Sequence, residues 1–240
     1  MSSQHALAIA DASAPTSPAQ SPERYDPYLV IHKALRALTA ETLLRLGRLD
    51  PEDEQQTREV MAQVRQAVTL CESHLKIEET FVHPAMEARA PGSTRRTAHE
   101  HVSHAEALAH IGSRCDEIER SRGAVRAAGV GCLYRRFAQF VAEDLLHMHA
   151  EETENNAVLW ATHTDAEILA IVARITASIP PEKNAVYMRW MLLANAPRER
   201  LKLLTGLRQG APPERVAALV ESVLPLLPLA ERAKLRAALD

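Results

Sequence analysis

Glycine and aromatic side chains are scarce in this chain, with 8 Gly, 3 Phe, 4 Tyr and 2 Trp in 240 residues. Sheets draw on aromatic and β-branched residues, so this composition weighs against a β-rich fold, and the many Ala, Leu, Glu and Arg favour helix. Cysteine is nearly absent. Cys71, Cys115 and Cys132 show no CxxC spacing and leave an odd one over, which speaks against a disulfide framework and suits a reducing compartment. No apolar run approaches the roughly 20 residues of a membrane span. The opening stretch MSSQHALAIADASAPTSPAQ lacks the basic start and continuous apolar segment of a signal peptide, so the cytoplasm is the expected location. A net charge of −3 is too small to argue for a nucleic-acid or membrane surface. Histidine is what the chain has in excess: 11 residues, several of them in two tight groups.

Residues 1 to 24 are rich in Ser, Ala and Pro, lack periodicity, and read as a flexible tail. Asp26-Pro27 then supplies an N-cap with Pro at the first helical position. The helix that follows sets Leu29, His32, Leu35, Leu43 and Leu46 near one face and closes at Gly47 and Pro51. A second helix is expected to be capped by Asp50, with Val60, Val64, Ala67, Cys71, His74, Glu78 and Phe81 on its stripe, a kink at Pro84 and a stop at Pro91-Gly92. A third starts near Ser93 or Thr94 and carries His101, His104, Leu108, Ile111, Cys115 and Ile118; a fourth starts between Gly123 and Gly131 and carries Leu133, Phe137, Phe140, Asp144, His147, Glu151 and Val158. Four amphipathic helices with short loops predict an all-α, up-down-up-down four-helix bundle over residues 25 to 165. Prolines then punctuate shorter helical segments, near 165–178, 182–195, 198–208, 213–224 and 229–239, so 166–240 read as a helical extension.

Each apolar stripe is interrupted near its middle by His or Glu. Residues four apart on a helix share a face, so His74 and Glu78 point the same way, as do His147 and Glu151. His32 sits mid-face on the first helix; His101 and His104, three apart, both fit the inward face of the third, and His104 is favoured. A carboxylate in a bundle core is costly unless paired or bound to metal. Two of them, each one turn from a histidine, predict a two-metal site, and imidazole with carboxylate and no thiolate suits iron and related divalent ions rather than structural zinc. Asp144, three residues before His147, is a candidate to hold an imidazole N–H. His83, His99, His110, His149 and His163 fall off the stripes and read as surface residues; Glu79 and Glu152 are expected to face a neighbouring helix or solvent, and Cys71 and Cys115 to be small core residues.

These residues resemble the hemerythrin-like (HHE cation-binding) family, whose pattern is His on helix one, HxxxE on helix two, His on helix three and HxxxE on helix four. The matching segments are IHKALRAL with His32, HLKIEETFVHPAME with His74 and Glu78, HEHVSHAEALAHI with His101 and His104, and HMHAEETENNAVLW with His147 and Glu151. EETFVHPAME also resembles the family's EExxxFP segment, with His83 where an aromatic is usual. The resemblance implies two Fe ions, oxo- or hydroxo-bridged, with Glu78 and Glu151 as bridges, in a protein that meets O2, NO or peroxide. The chain departs from true hemerythrins in spacing its third-helix histidines three apart rather than four and in carrying Glu151 where they use Asp.

The leading functional expectation is a non-enzymatic di-iron protein, with no catalytic residues, that binds O2 or a related small molecule for sensing, storage or detoxification. Val30, Phe81 and Phe140 would limit access of water to the site. The rivals are a catalytic di-iron protein that decomposes peroxide or reduces NO, and a metal-stabilised scaffold acting through its C-terminal helices. A ferritin-like carboxylate protein is disfavoured because its signature places Glu three residues before His.

Overall fold

A computed structural model describes residues 24–237, and among them every regular element is helical. The expected tail falls outside that range except for Arg24, whose guanidinium pairs with Asp165 at 2.6 Å and donates to the backbone oxygens of Trp160 and His163.

Four long helices come first in importance: α1 (Leu29–Arg48), α2 (Glu54–Ile77), α4 (Arg95–Arg120) and α5 (Gly123–Ala150). Each of the two HxxxE helices continues through a π-helical turn, Glu78–Val82 after α2 and Glu151–Asn155 after α5, into a short helix, α3 (His83–Arg89) and α6 (Asn156–Thr162). The starts follow from local chemistry. Asp26 Oδ1 accepts from the Tyr28 and Leu29 amides at 2.8 and 3.0 Å, satisfying donors that have no intrahelical partner. The second helix begins later than Asp50-Pro51 suggest: Asp53 is the cap, accepting from Gln56 N at 2.9 Å, and Asp50 instead closes a turn by accepting from Glu52 N. Pro84 does not kink a helix interior. It occupies the first turn of α3, where a missing N–H costs nothing. Gly92, at φ +85°, makes the turn into α4 that a residue with a Cβ would resist.

α1 packs against α2 and α5, and α4 packs against the same two helices, which closes a circuit around one core. Leu38, Met61, Val64, Leu108, Ile111, Phe137 and Phe140 fill it, each almost wholly removed from water. Burying a side chain of this size contributes about 1.5–3 kcal/mol. A separate cluster of Tyr28, Val82, Met86, Leu159 and Ile168 joins the π turns to α7 (Asp165–Ser178).

The remaining helices are α8 (Pro181–Ala194), α9 (Pro197–Gly210), α10 (Pro213–Val223) and α11 (Leu229–Ala237). α8 lies on α1. Tyr187 Oη donates to Leu70 O at 2.7 Å, Trp190 Nε1 to Gln66 Oε1 at 3.0 Å, and Asn195 Nδ2 to Val30 O at 3.0 Å. Leu192, at its inner end, begins a second core with Leu204, Val216, Val220, Val223 and Leu235. No helix among the described residues is long and apolar enough to cross a membrane.

Candidate metal centre

His32 from α1, His74 and Glu78 from α2 and its π turn, His101 from α4, and His147 and Glu151 from α5 and its π turn converge inside the helical circuit. All six are buried, none exposing more than 8% of its surface. Their ligand atoms form two groups, His32, His74, Glu78, Glu151 and Glu78, His101, His147, Glu151, and within each group every ligand atom lies within 4.8 Å of the others. The two carboxylates belong to both.

The imidazoles turn their Nε2 atoms inward. His32 Nε2 and His74 Nε2 are 3.1 Å apart, as are those of His101 and His147. His74 Nε2 is 3.2 Å from Glu78 Oε1, His147 Nε2 3.4 Å from Glu151 Oε2, His32 Nε2 3.5 Å from Glu151 Oε2 and His101 Nε2 3.5 Å from Glu78 Oε2. Ligands bound 2.0–2.2 Å from a common ion sit about 3.0–3.6 Å from one another, so these separations fit shared ions, although the two Nε2···Nε2 contacts are also within hydrogen-bond reach. All four carboxylate oxygens of Glu78 and Glu151 lack a hydrogen-bond partner despite full burial, a state that ordinary cores avoid.

The charge pattern follows from that crowding. Burial, reinforced by the charge of Glu151, pushes the Glu78 carboxyl up to about 8. Burial acts on Glu151 in the same direction, but the His101 imidazole 3.7 Å away and the charges of His147 and His32 hold it below the usual carboxylate range. Burial alone would lower His32, but its hydrogen bond to Glu152 and the nearby carboxylates of Glu78 and Glu151 raise it to about 9. His74 is driven well below its ordinary value by burial and then by the charge of His32. Without a cation, burial and the neighbouring carboxylate thus favour a protonated Glu78, while the surrounding carboxylates favour charged His32 and His101.

Outward, three imidazoles meet carboxylates. His32 Nδ1 is 3.1 Å from Glu152 Oε1, His101 Nδ1 3.3 Å from Glu79 Oε1 and His147 Nδ1 2.8 Å from Glu100 Oε2. Such contacts fix the tautomer that leaves Nε2 free to bind metal and make it more basic. Helical periodicity leaves Glu79 and Glu152 facing a neighbour or solvent and does not single out Glu100. A signal is nonetheless there: HLKIEET and HMHAEET repeat one pattern, in which the first Glu turns inward and the second reaches a histidine of another helix. Each inward Glu opens a π turn, with His83 N bonded to Glu78 O and Asn156 N to Glu151 O across five residues. π turns are rare and recur at functional sites.

The extra residue in the first π turn also explains why His83 is buried rather than on the surface. It shifts everything beyond Glu78 off the 3.6-residue stripe, and His83 stacks on His101 with ring centroids 4.9 Å apart. His163 is buried as well, while His99, His110 and His149 are exposed. Tyr28, one turn before His32, is buried beside it with ring centroids 5.2 Å apart and accepts from Asn155 Nδ2 at 3.4 Å.

His104 belongs to neither group of ligand atoms. Three residues along a helix is about 4.5 Å along its axis, and there its ring meets Phe140 and His147 at centroid distances of 5.6 and 4.9 Å. Asp144 faces His104 Nδ1 at 4.0 Å and makes no hydrogen bond to an imidazole. Phe140 is buried, and Val30 and Phe81 are half-buried, with Phe81 beneath the guanidinium of Arg174. Cys71 and Cys115 are buried and Cys132 exposed, all three as free thiols.

No protein-family model matches the chain, and no curated protein or solved structure matches it either.

Proposed function

We propose that this chain is a hemerythrin-like four-helix bundle, α1, α2, α4 and α5 running up-down-up-down, that holds two iron ions and binds O2 or a related small molecule such as NO or peroxide. The observation that supports this most is the pair of four-ligand groups sharing Glu78 and Glu151. One shared carboxylate is a common accident of packing. Two, each buried without a hydrogen-bond partner and each flanked by inward-turned imidazoles, match the donor set of a carboxylate-bridged pair of divalent ions. In this reading His32 and His74 hold one ion, His101 and His147 the other, and the two glutamates bridge. Iron held by these residues would supply redox chemistry and open coordination positions for such a ligand.

The chain's own residues do the rest. Glu152, Glu79 and Glu100 orient imidazoles through their Nδ1 atoms. Tyr28 and Phe140 line neighbouring buried positions, and His83 backs His101. His104 takes a place beside the ligands rather than among them.

Elemental analysis of aerobically purified protein is expected to give about two irons per chain, and the Glu78→Ala, Glu151→Ala double variant almost none. Little iron in the wild type, or full retention in the double variant, would sink the proposal. Anaerobic reduction followed by mixing with O2, NO or peroxide then separates binding from catalysis: a stable, reversible spectrum supports a binding protein, and repeated turnover supports the catalytic alternative.

A further inference from the structure

The carboxylates that surround the cluster are divided unequally between its halves. Behind His101 and His147 stand Glu79 and Glu100, one on each Nδ1. Glu79 has no cationic partner other than His101 among the described residues. Glu100 is met by Arg96, which also reaches Glu154. Arg96 is thus shared between Glu100 and the exposed Glu154. Behind His32 stands Glu152 alone, and Arg36 grips both of its oxygens, so one guanidinium cancels the one carboxylate. His74 Nδ1 has no hydrogen-bond partner among the described residues, and at 8% His74 is the most exposed of the four imidazoles, the others showing 0–2%.

A divalent ion responds to both differences. An outer carboxylate on Nδ1 fixes the ligating tautomer and strengthens Nε2 as a donor, and its loss typically costs 10–100-fold in metal affinity. Glu79 and Glu100 are both partly exposed, so their charge adds only a solvent-screened attraction, and the Nδ1 contacts carry the difference. His101 and His147 each have such a partner. Of the other pair only His32 does, and its carboxylate is already engaged by Arg36.

We propose that the two halves of the cluster bind metal with unequal affinity: the His101/His147 position fills first and retains its ion, and the His32/His74 position is the exchangeable one. Glu79 and Glu100 are the positioning residues that create the difference. This inference rests on the two-metal reading above. It gives the chain a stable one-metal form and lets a second ion, identical or different, enter and leave beside it.

Titrating metal-free full-length protein with cobalt(II), followed by calorimetry and visible absorption, tests it. Two binding steps are expected, separated by about 10-fold or more in affinity, with a chelator removing one ion per chain quickly and the other slowly. Glu79→Gln with Glu100→Gln should weaken the tighter step by about 10–100-fold and leave the weaker unchanged, whereas Glu152→Gln should weaken only the weaker step. His74→Ala should abolish the weaker step alone and His101→Ala the tighter, with helicity by circular dichroism confirming that each variant is folded. Two equal steps, a tighter step lost in His74→Ala, or a tighter step untouched by the Glu79/Glu100 changes would overturn the inequivalence while leaving a two-metal site standing. Binding of neither cobalt nor iron would overturn the two-metal reading and this inference with it.

Discussion

Replacing Glu78 with Gln should make the metal-free protein more stable and the metal-loaded protein less stable than wild type. Both Glu78 oxygens are buried without hydrogen-bond donors, a state that costs about 1–3 kcal/mol per group and more when the group is charged. The pH dependence fixes the sign. Burial and the charge of Glu151 hold the folded-state value at about 8, above the roughly 4.3 of an unfolded chain. The native form keeps a proton that the unfolded form releases, so native stability falls as pH climbs from about 4.3 to about 8, by as much as ~1.4 kcal/mol per pH unit. Gln, neutral and nearly isosteric, abolishes that slope. At pH 7.5, about three pH units above the unfolded value, the metal-free variant should gain up to about 4 kcal/mol, at roughly 2–4 °C per kcal/mol for a chain of this length. With metal at a hundred times its Kd, wild type should gain about 2.7 kcal/mol per ion. The variant should gain far less, because both ligand groups need Glu78. Urea and thermal unfolding of each protein, with a chelator and with cobalt(II), reads the crossing. A metal-free Glu78→Gln variant less stable than wild type between pH 5 and 8, or equal stabilisation of both by metal, would refute the reasoning.

Two further outcomes follow from neighbouring features. His83 is held at about 4, chiefly by burial and then by the charge of His101, below the roughly 6.5 of a free histidine. The unfolded chain therefore takes up a proton first, and metal-free stability should fall as pH drops from about 6.5 to 4; His83→Phe should flatten that limb in urea midpoints taken at pH 4.5 and 7, and an unchanged profile would count against a buried neutral ring. Trp190→Ala should cost about 3–5 kcal/mol and also lose the hydrogen bond to Gln66. Amide exchange should then accelerate in α8 and on the α1 and α2 surfaces it covers but not in α4 or α5, and uniform acceleration would show that α8 is not a separable layer.

The candidate ligand positions are largely legible in the sequence because helical periodicity is rigid. Once His74, Glu78, His147 and Glu151 fall four apart on apolar stripes, a helix has nowhere else to aim them. What periodicity misses lies where the period changes. Each π turn inserts a residue, which carries His83 into the interior and brings Glu79 and Glu152 to histidines of other helices. His101 and His104 cannot be ranked from one helix, since both face inward. Their difference is one of level along the axis, and that depends on how α4 is seated against α2 and α5. At the start of α2, Asp50 and Asp53 both have capping chemistry, and only the turn at Pro51 decides between them, which sets the cap three residues later than the sequence suggests.

The two glutamates that serve both halves also impose an order on how the molecule is made. His32 and the Glu151-Glu152 pair it faces are some 120 positions apart, and neither group has its full set of four donors without Glu151. During synthesis the first three ligand-bearing helices can emerge and pack while the chain still lacks a complete donor set. On the two-metal reading, neither group gains its fourth donor before the end of α5, so a fully occupied centre would mark a chain whose four long helices have all been made and brought together. A chain cut short before Glu151 would retain His32, His74 and Glu78 but neither complete group of four.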